Sequence, residues 1–205
     1  MVKVNLDWED DARPFLHRIV GPLGRRLLDS VWGLKVAGLD NLPRQGAAIV
    51  ACNHVSNADP LVIGFAVYPV RSLRYLAKVE LFRVPVVGWF IHQVGAIPLD
   101  RSRADVAAVR SAVAVLDKGR CLAIFPEGTR SKDGRAGRPK AGVGYLAGQT
   151  GAPVVPARLV NTDRLLSFRS VEVRFGPPLR FAGDPGDRRR CQDFAHMVMD
   201  RVFSL

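Results

Sequence analysis

AAIVACNHVSNADPLVIGFAV, residues 47–67, decides how the chain folds. Its first seven residues are a short apolar run bounded by Gly46 and a polar turn, the pattern of a strand buried on both faces. Asn57 or Asp59 can serve as a helix N-cap, so Pro60–Val67 is expected to be a helix. The polar hinge between them, NHVSNAD (53–59), raises a second question. It places a histidine and an aspartate five residues apart across a turn.

The same alternation continues downstream. SLRYLAK (72–78), VGAIPLD (94–100), CLAIF (121–125) and PVVPARL (153–159) read as strands, and SVEVRFG (170–176) alternates as a half-exposed strand does. Between them, 86–92 is weakly helical, and Ser102 with Asp105 forms a capping box. That box opens a helix whose expected face is Val106, Val109, Val113 and Leu116, ended by Gly119. AGVGYLAGQT (141–150) is expected to be helical, and a last amphipathic helix carries Phe194, Val198 and Val202. SKDGRAGRPK (131–140) has loop composition. The expectation is one α/β domain over 36–205, with a mixed, mostly parallel sheet flanked by helices.

An amphipathic helical segment over 1–35 precedes that domain. Its apolar stripe is Phe15, Ile19, Leu23, Leu27 and Val31, with a largely basic opposite face, and Gly21-Pro22 is expected to split it into two short helices. Such a stripe either packs on the domain core or lies on a membrane surface.

Apolar residues make up 48% of the 205, which excludes general disorder. The 30 Lys and Arg against 19 Asp and Glu give a net charge of +11, which favours anionic partners: nucleic acid, acidic lipid or a phosphorylated substrate. Cys52, Cys121 and Cys191 form no C-x-x-C pair, which argues against a zinc cluster and for a reducing compartment. The acidic start MVKVNLDWEDD lacks the apolar core of a signal peptide. Leu81–Leu99, the longest span to consider, is interrupted by Arg83, Pro85, His92 and Pro98 and does not suit a bilayer crossing.

Ligands of α/β sheets bind beyond the carboxyl ends of the strands. Four expected strands end in polar chemistry: Asn53-His54, Lys78, Asp100-Arg101 and Glu127-Gly128-Thr129-Arg130. On one helix, His54 and Asp59 would not share a face, but a strand-turn-helix lets the carboxylate fold back onto the imidazole. It would then fix the tautomer and leave the other ring nitrogen as a base. No nucleophile stands out: Ser56 lacks a G-x-S-x-G elbow, and Cys52 points away within its strand. His54 would therefore act on a hydroxyl brought by a substrate. Arg101, Arg130, Lys78 and Lys140 would supply positive charge to the same rim. Glu127, awkward to bury alone, would orient an arginine or the backbone. GVGYLA (142–147) matches G-x-G-x-x-A but follows a basic Gly/Pro-rich stretch rather than a strand, so dinucleotide binding is not expected.

Taken together, NHVSNAD, GAIPLDR (95–101), FPEGTRS (125–131) and APVVPA (152–157) resemble, in order and spacing, the four blocks of the 1-acyl-glycerol-3-phosphate acyltransferase family. This is the glycerolipid acyltransferase superfamily with an H-x-x-x-x-D site. AKVELFRVPVVGW (77–89) resembles the segment between its first two blocks, and the likeness covers roughly 36–180. The resemblance implies acyl transfer from acyl-CoA or acyl-carrier protein to a lysophospholipid hydroxyl, without cofactor or metal. His54 would be the general base and Asp59 its partner. Arg101 would hold the acceptor phosphate, and Glu127, Gly128 and Arg130 would complete that site. Val155 and Pro156 would line the acyl path. An anionic membrane surface would be the partner, nucleic acid would not, and the protein would lie peripherally on the cytoplasmic side of the cell membrane. Pro98 departs from the aromatic or aliphatic residue of many members, which leaves other lysolipid acceptors open, and the 13–32 segment stands where many relatives carry membrane-spanning helices. Outside that family, a non-catalytic basic module is the alternative.

Overall fold

The computed structural model describes residues 14–68, 70–93, 96–99, 106–131 and 137–205. The expected capping box at Ser102 and Asp105 lies outside them. Among the described residues, seven strands form one sheet: β1 (Lys35–Ala37), β2 (Ala48–Cys52), β3 (Leu73–Lys78), β4 (Ala96–Leu99), β5 (Cys121–Ile124), β6 (Val154–Val160) and β7 (Glu172–Phe175). Their order is β1-β7-β6-β2-β5-β3-β4. The five from β6 to β4 are mutually parallel, whereas β7 runs antiparallel to β6 and carries β1 alongside it.

Among the described residues, six α-helices accompany the sheet: α1 (Pro14–Trp32), α2 (Asp59–Val67), α3 (Pro85–Gln93), α4 (Val106–Asp117), α5 (Gly142–Thr150) and α6 (Arg188–Ser204). The crossovers β2–α2–β3 and β3–α3–β4 step one way along the sheet. β4–α4–β5 and β5–α5–β6 step back. Right-handed crossovers therefore place α2 and α3 on one face and α4 and α5 on the other. The core divides accordingly. Val50, Cys52, Ile63 and Ala123 pack with Leu28 of α1 on the first face, while Ile49, Ala51, Leu122 and Phe194 of α6 pack on the second.

Three local expectations need correction. Gly21 and Pro22 do not divide the first segment, because α1 runs unbroken through both. Proline removes one helical hydrogen bond, but Gly21 and Gly24 seat both halves of the helix on α2. A Cβ at Gly21 would stand 2.6 Å from the Tyr68 ring, and one at Gly24 would collide with Phe65. As a result, Leu28 is buried while the stripe Ile19, Leu23, Leu27 and Val31 faces solvent.

The second correction is the face of α4. Ala108, Ala112 and Leu116 are buried, whereas Val106 and Val109 are exposed. Small side chains make the close contact, and hydropathy alone points to the larger ones. The third concerns α2, whose N-cap position is Ala58, with no side-chain hydrogen bond. Neither Asn57 nor Asp59 caps it. Asp59 is already helical, and its carboxylate is turned back to other work.

Candidate active site

Because β2, β3 and β5 are parallel neighbours, their C-terminal ends share one rim. At that rim stand Lys78, the last residue of β3, and, just beyond β2 and β5, His54 and Glu127 to Arg130. The expected convergence of these strand ends is present. Arg101, one of the expected phosphate-holding residues, lies outside the described residues.

The turn 53–59 is built around a single carboxylate oxygen. Asp59 Oδ2 accepts from His54 Nδ1 at 2.7 Å, from the Val55 amide at 2.7 Å and from the Ser56 amide at 2.8 Å. Asp59 is fully buried, and the His54 side chain is 13% exposed. A buried carboxylate is costly unless donors surround it, and here the donors belong to the turn that carries the histidine. The pair is a local structure that a strand-turn-helix can fold by itself. An Nδ1–H donating to Asp59 leaves Nε2 with its lone pair.

Two further elements hold the imidazole. Asn53 grips the neighbouring strand β6, donating through Nδ2 to the Leu159 carbonyl at 3.0 Å and accepting the Leu159 amide on Oδ1 at 2.7 Å. The ring of Phe125, at the end of β5, stacks on His54 with centroids 4.2 Å apart. The Ser131 amide donates to the His54 carbonyl at 2.8 Å, which ties the FPEGTRS turn to the histidine backbone.

That turn is closed by the Gly128 amide, which donates to Phe125 O at 2.9 Å. Gly128 has φ +71°, a backbone conformation that favours glycine, and a Cβ there would come within 2.9 Å of Lys140 Cε. Lys140 thus lies over the turn, its amide bonded to Pro126 O. Glu127 is 5% exposed, and neither carboxyl oxygen has a well-aligned hydrogen-bond partner among the described residues. Burial pushes its pKa above the ordinary carboxylate value. The His54 amide and ring pull it down, the charge of Asp59 adds to the rise, and the Arg158 guanidinium opposes it. Lys78 and Arg130 are exposed on the rim.

Val155 and Pro156 are not brought to this rim. They lie inside β6, Pro156 opposite Ala51 of β2, and Val155 is completely buried in the core. Beside β2, they support the strand that leads to His54.

Asn53 and Arg158 are the residues whose parts are not predicted from sequence. Arg158 stacks over the Phe203 ring at 4.2 Å and sends its charge toward Glu127. In a chain with 30 basic residues nothing singles it out. Asn53 had a signal, an amide at a buried strand end beside the histidine, but its partner lies 106 positions away.

The acyltransferase family model matches residues 33–160. A chloroplastic 1-acyl-sn-glycerol-3-phosphate acyltransferase of Arabidopsis thaliana is 35% identical over 165 residues, which are 77% of this chain and 44% of that protein. The 1-acyl-sn-glycerol-3-phosphate acyltransferase of Bacillus subtilis is 29% identical over 168 residues, 80% of this chain and 78% of that one. Among solved structures, the 1-acyl-sn-glycerophosphate acyltransferase PlsC of Thermotoga maritima superposes with a TM-score of 0.71 at 26% identity, covering 94% of this chain and 80% of that one. The chain spans about two fifths of the length of the chloroplastic relatives it matches.

Proposed function

The chain belongs to the acyltransferase family, and from that premise we propose that it transfers a fatty acyl group from acyl-CoA or acyl-carrier protein to the free hydroxyl of 1-acyl-glycerol-3-phosphate, giving phosphatidic acid. The observation that carries this reading is the 2.7 Å pairing of His54 Nδ1 with Asp59 Oδ2 at the rim of a parallel sheet.

His54 Nε2 takes the proton of the acceptor hydroxyl as its oxygen attacks the thioester carbonyl. The tetrahedral adduct collapses, the carbon–sulfur bond breaks, and the imidazolium returns the proton to the leaving thiolate. Asp59 keeps the proton of the resting imidazole on Nδ1 and stabilises the cation formed midway. The thioester is already activated, so the reaction calls for neither a covalent enzyme intermediate nor a cofactor. What remains is proton removal and positioning. Arg101 and Arg130 hold the acceptor phosphate, with Lys78 and Lys140 adding charge. Glu127 and Gly128 shape the turn that presents Arg130.

Among the described residues no helix is long and apolar enough to cross a membrane. The acceptor is itself a membrane lipid, and the exposed apolar stripe of α1 suits peripheral attachment to an anionic surface. We assign that surface to the cytoplasmic side of the cell membrane, where acyl-CoA and acyl-carrier protein are at hand. Free-thiol release from palmitoyl-CoA should depend on added lysophosphatidic acid and vanish in His54→Ala. Release that proceeds equally without acceptor, or equally in the variant, would end this reading.

A further inference from the structure

The strand pinned by Asn53 leads into a loop that the proposed reaction does not use. From β6 the chain passes through Asn161 into a 3₁₀ segment, Thr162–Ser167, and returns toward β7. Its base is clamped, with Asn161 Nδ2 donating to the Ser170 carbonyl at 2.8 Å and Trp32 Nε1 at the end of α1 donating to Leu165 O at 2.7 Å. Both ends of the segment are left-handed, with φ +64° at Asn161 and φ +50° at Phe168. Asparagine adopts this conformation readily. A bulky aromatic does so only where its surroundings force it.

The forced backbone does not bury anything at the tip. Leu166 is 96% exposed and Phe168 68% exposed, the Phe168 ring stacking on Trp32 at 6.3 Å. Scattered exposed apolar residues need no explanation, but these two sit on a loop tied at its base and at a specific place. The loop leaves the C-terminal end of β6, beside β2, so it stands on the same rim as His54. It also meets the end of α1 at Trp32, where the exposed stripe of Leu23, Leu27 and Val31 arrives. Arg169 is exposed next to it, and Arg164 is half-exposed with Asp163 at 3.7 Å.

We infer that Leu166 and Phe168 form a wedge that enters the acyl region of an anionic bilayer and seats the catalytic rim at the level of the lipid headgroups. The inference rests on the reading that the acceptor is taken from a membrane. A protruding apolar tip suits a fluid partner without fixed shape, where a protein partner would call for a flat or concave patch. The flanking arginines match anionic headgroups, and the tip continues the apolar line of α1.

Flotation with phosphatidylcholine vesicles, with and without phosphatidylglycerol, tests it. Leu166→Ser/Phe168→Ser should bind the anionic vesicles about tenfold more weakly or worse, given the area lost from two large apolar side chains. Phe168→Gly, which accepts φ +50° without strain, should lose several-fold in affinity while its melting temperature holds or rises. Thiol release with vesicle-borne lysophosphatidic acid should fall in both variants. Release with a short-chain, water-soluble lysophosphatidate should not. Wild-type affinity in the double variant overturns the wedge, as does a lowered melting temperature in Phe168→Gly with vesicle binding intact. Equal losses with soluble and vesicle-borne acceptor would make the loop part of the reaction instead and overturn it too. A wild-type protein that floats and loses flotation in the variants, yet releases no thiol with either acceptor, removes the acyl-transfer reading and leaves the wedge standing.

Discussion

The layer of α1, α2 and α3 and the layer of α4, α5 and α6 cover the same sheet but face outward differently. Among the described residues, the first layer and its loops expose Ile19, Leu23, Leu27, Val31, Leu61, Leu81, Val84, Val86, Val87 and Trp89. The second exposes Val106, Val109, Tyr145 and Met197, and its helix α6 turns Arg188, Arg189, Arg190, Asp193, Asp200 and Arg201 to water. Burial of a core cannot account for the difference, because each layer has a complete core on its inner side. The apolar layer is also the one on whose side the His54–Asp59 pair lies. Phe125, which stacks on His54, packs against the first core, and the His54–Asp59 turn opens into α2. One side of the molecule turns mainly charge outward, and the other turns apolar side chains outward beside the His54–Asp59 pair.

The largest test asks whether the chemistry belongs to that side at all. His54→Ala should lower acceptor-dependent thiol release by about a thousandfold, within the usual range for removing a general base, and leave the melting temperature nearly unchanged. Asp59 would keep its two amide donors from Val55 and Ser56. Asp59→Asn should lose on the order of a hundredfold and also destabilise, since a buried acceptor of three donors is replaced by a group that must donate as well. Retained turnover in His54→Ala would leave the apolar layer without a reaction to serve.

The second test compares how the two layers are held. In α5, a Cβ at Gly144 would stand 2.5 Å from the backbone carbonyl oxygen of Cys191 in α6, and neither backbone can yield cheaply. In α1, the nearest atoms to a Cβ at Gly24 belong to the Phe65 ring, a side chain rather than backbone. Gly144→Ala should therefore cost roughly 2–3 kcal/mol by denaturant unfolding, and Gly24→Ala clearly less, about 1 kcal/mol. Equal costs would mean that α1 is as rigidly seated as the inner helices.

Glu127 connects the layers, lying between His54 on the first side and Arg158, which is stacked on α6's Phe203, on the second. Its carboxyl pKa is raised above the ordinary 4.5, first by burial and then by the charge of Asp59, against the pull of His54 and Arg158. The folded chain therefore holds this proton more tightly than the unfolded chain. The stabilising contribution is present below the ordinary pKa and is lost as pH rises through the raised one. Glu127→Gln removes that loss, so its stability relative to the parent should improve as pH goes from about 4 to about 7. A difference that stays constant with pH would show that the carboxyl titrates normally.

How far this contrast could be foreseen depends on the range of each interaction. The alternating strands and helices were legible because each depends on local periodicity, and right-handed crossovers then place the helices. The His54–Asp59 pairing was legible for the same reason: the two residues are five positions apart. The outward faces of α1 and α4 were not, because Gly21, Gly24, Ala108 and Ala112 make the contacts and hydropathy gives such residues little weight. The three-residue β1 offers too short a pattern to recognise. Asn53 with Leu159, and Arg158 with Phe203, join positions that only the folded sheet brings together.

The smallest effect on stability provides the most direct reading of the two layers. Leu23 is 65% exposed and Leu27 54%, so Leu23→Ser/Leu27→Ser removes little buried area and should change stability by no more than about 0.5 kcal/mol. Val106→Ser/Val109→Ser on α4 should be equally mild, since Val106 is 57% exposed and Val109 38%. In solution the two pairs would be indistinguishable. Anionic vesicles should separate them: the α1 pair loses several-fold in affinity because its apolar side chains no longer leave water on binding, while the α4 pair binds as the parent does. Were both pairs to weaken binding alike, attachment would be a general property of a positively charged surface, and the apolar outside of the first layer would need another cause.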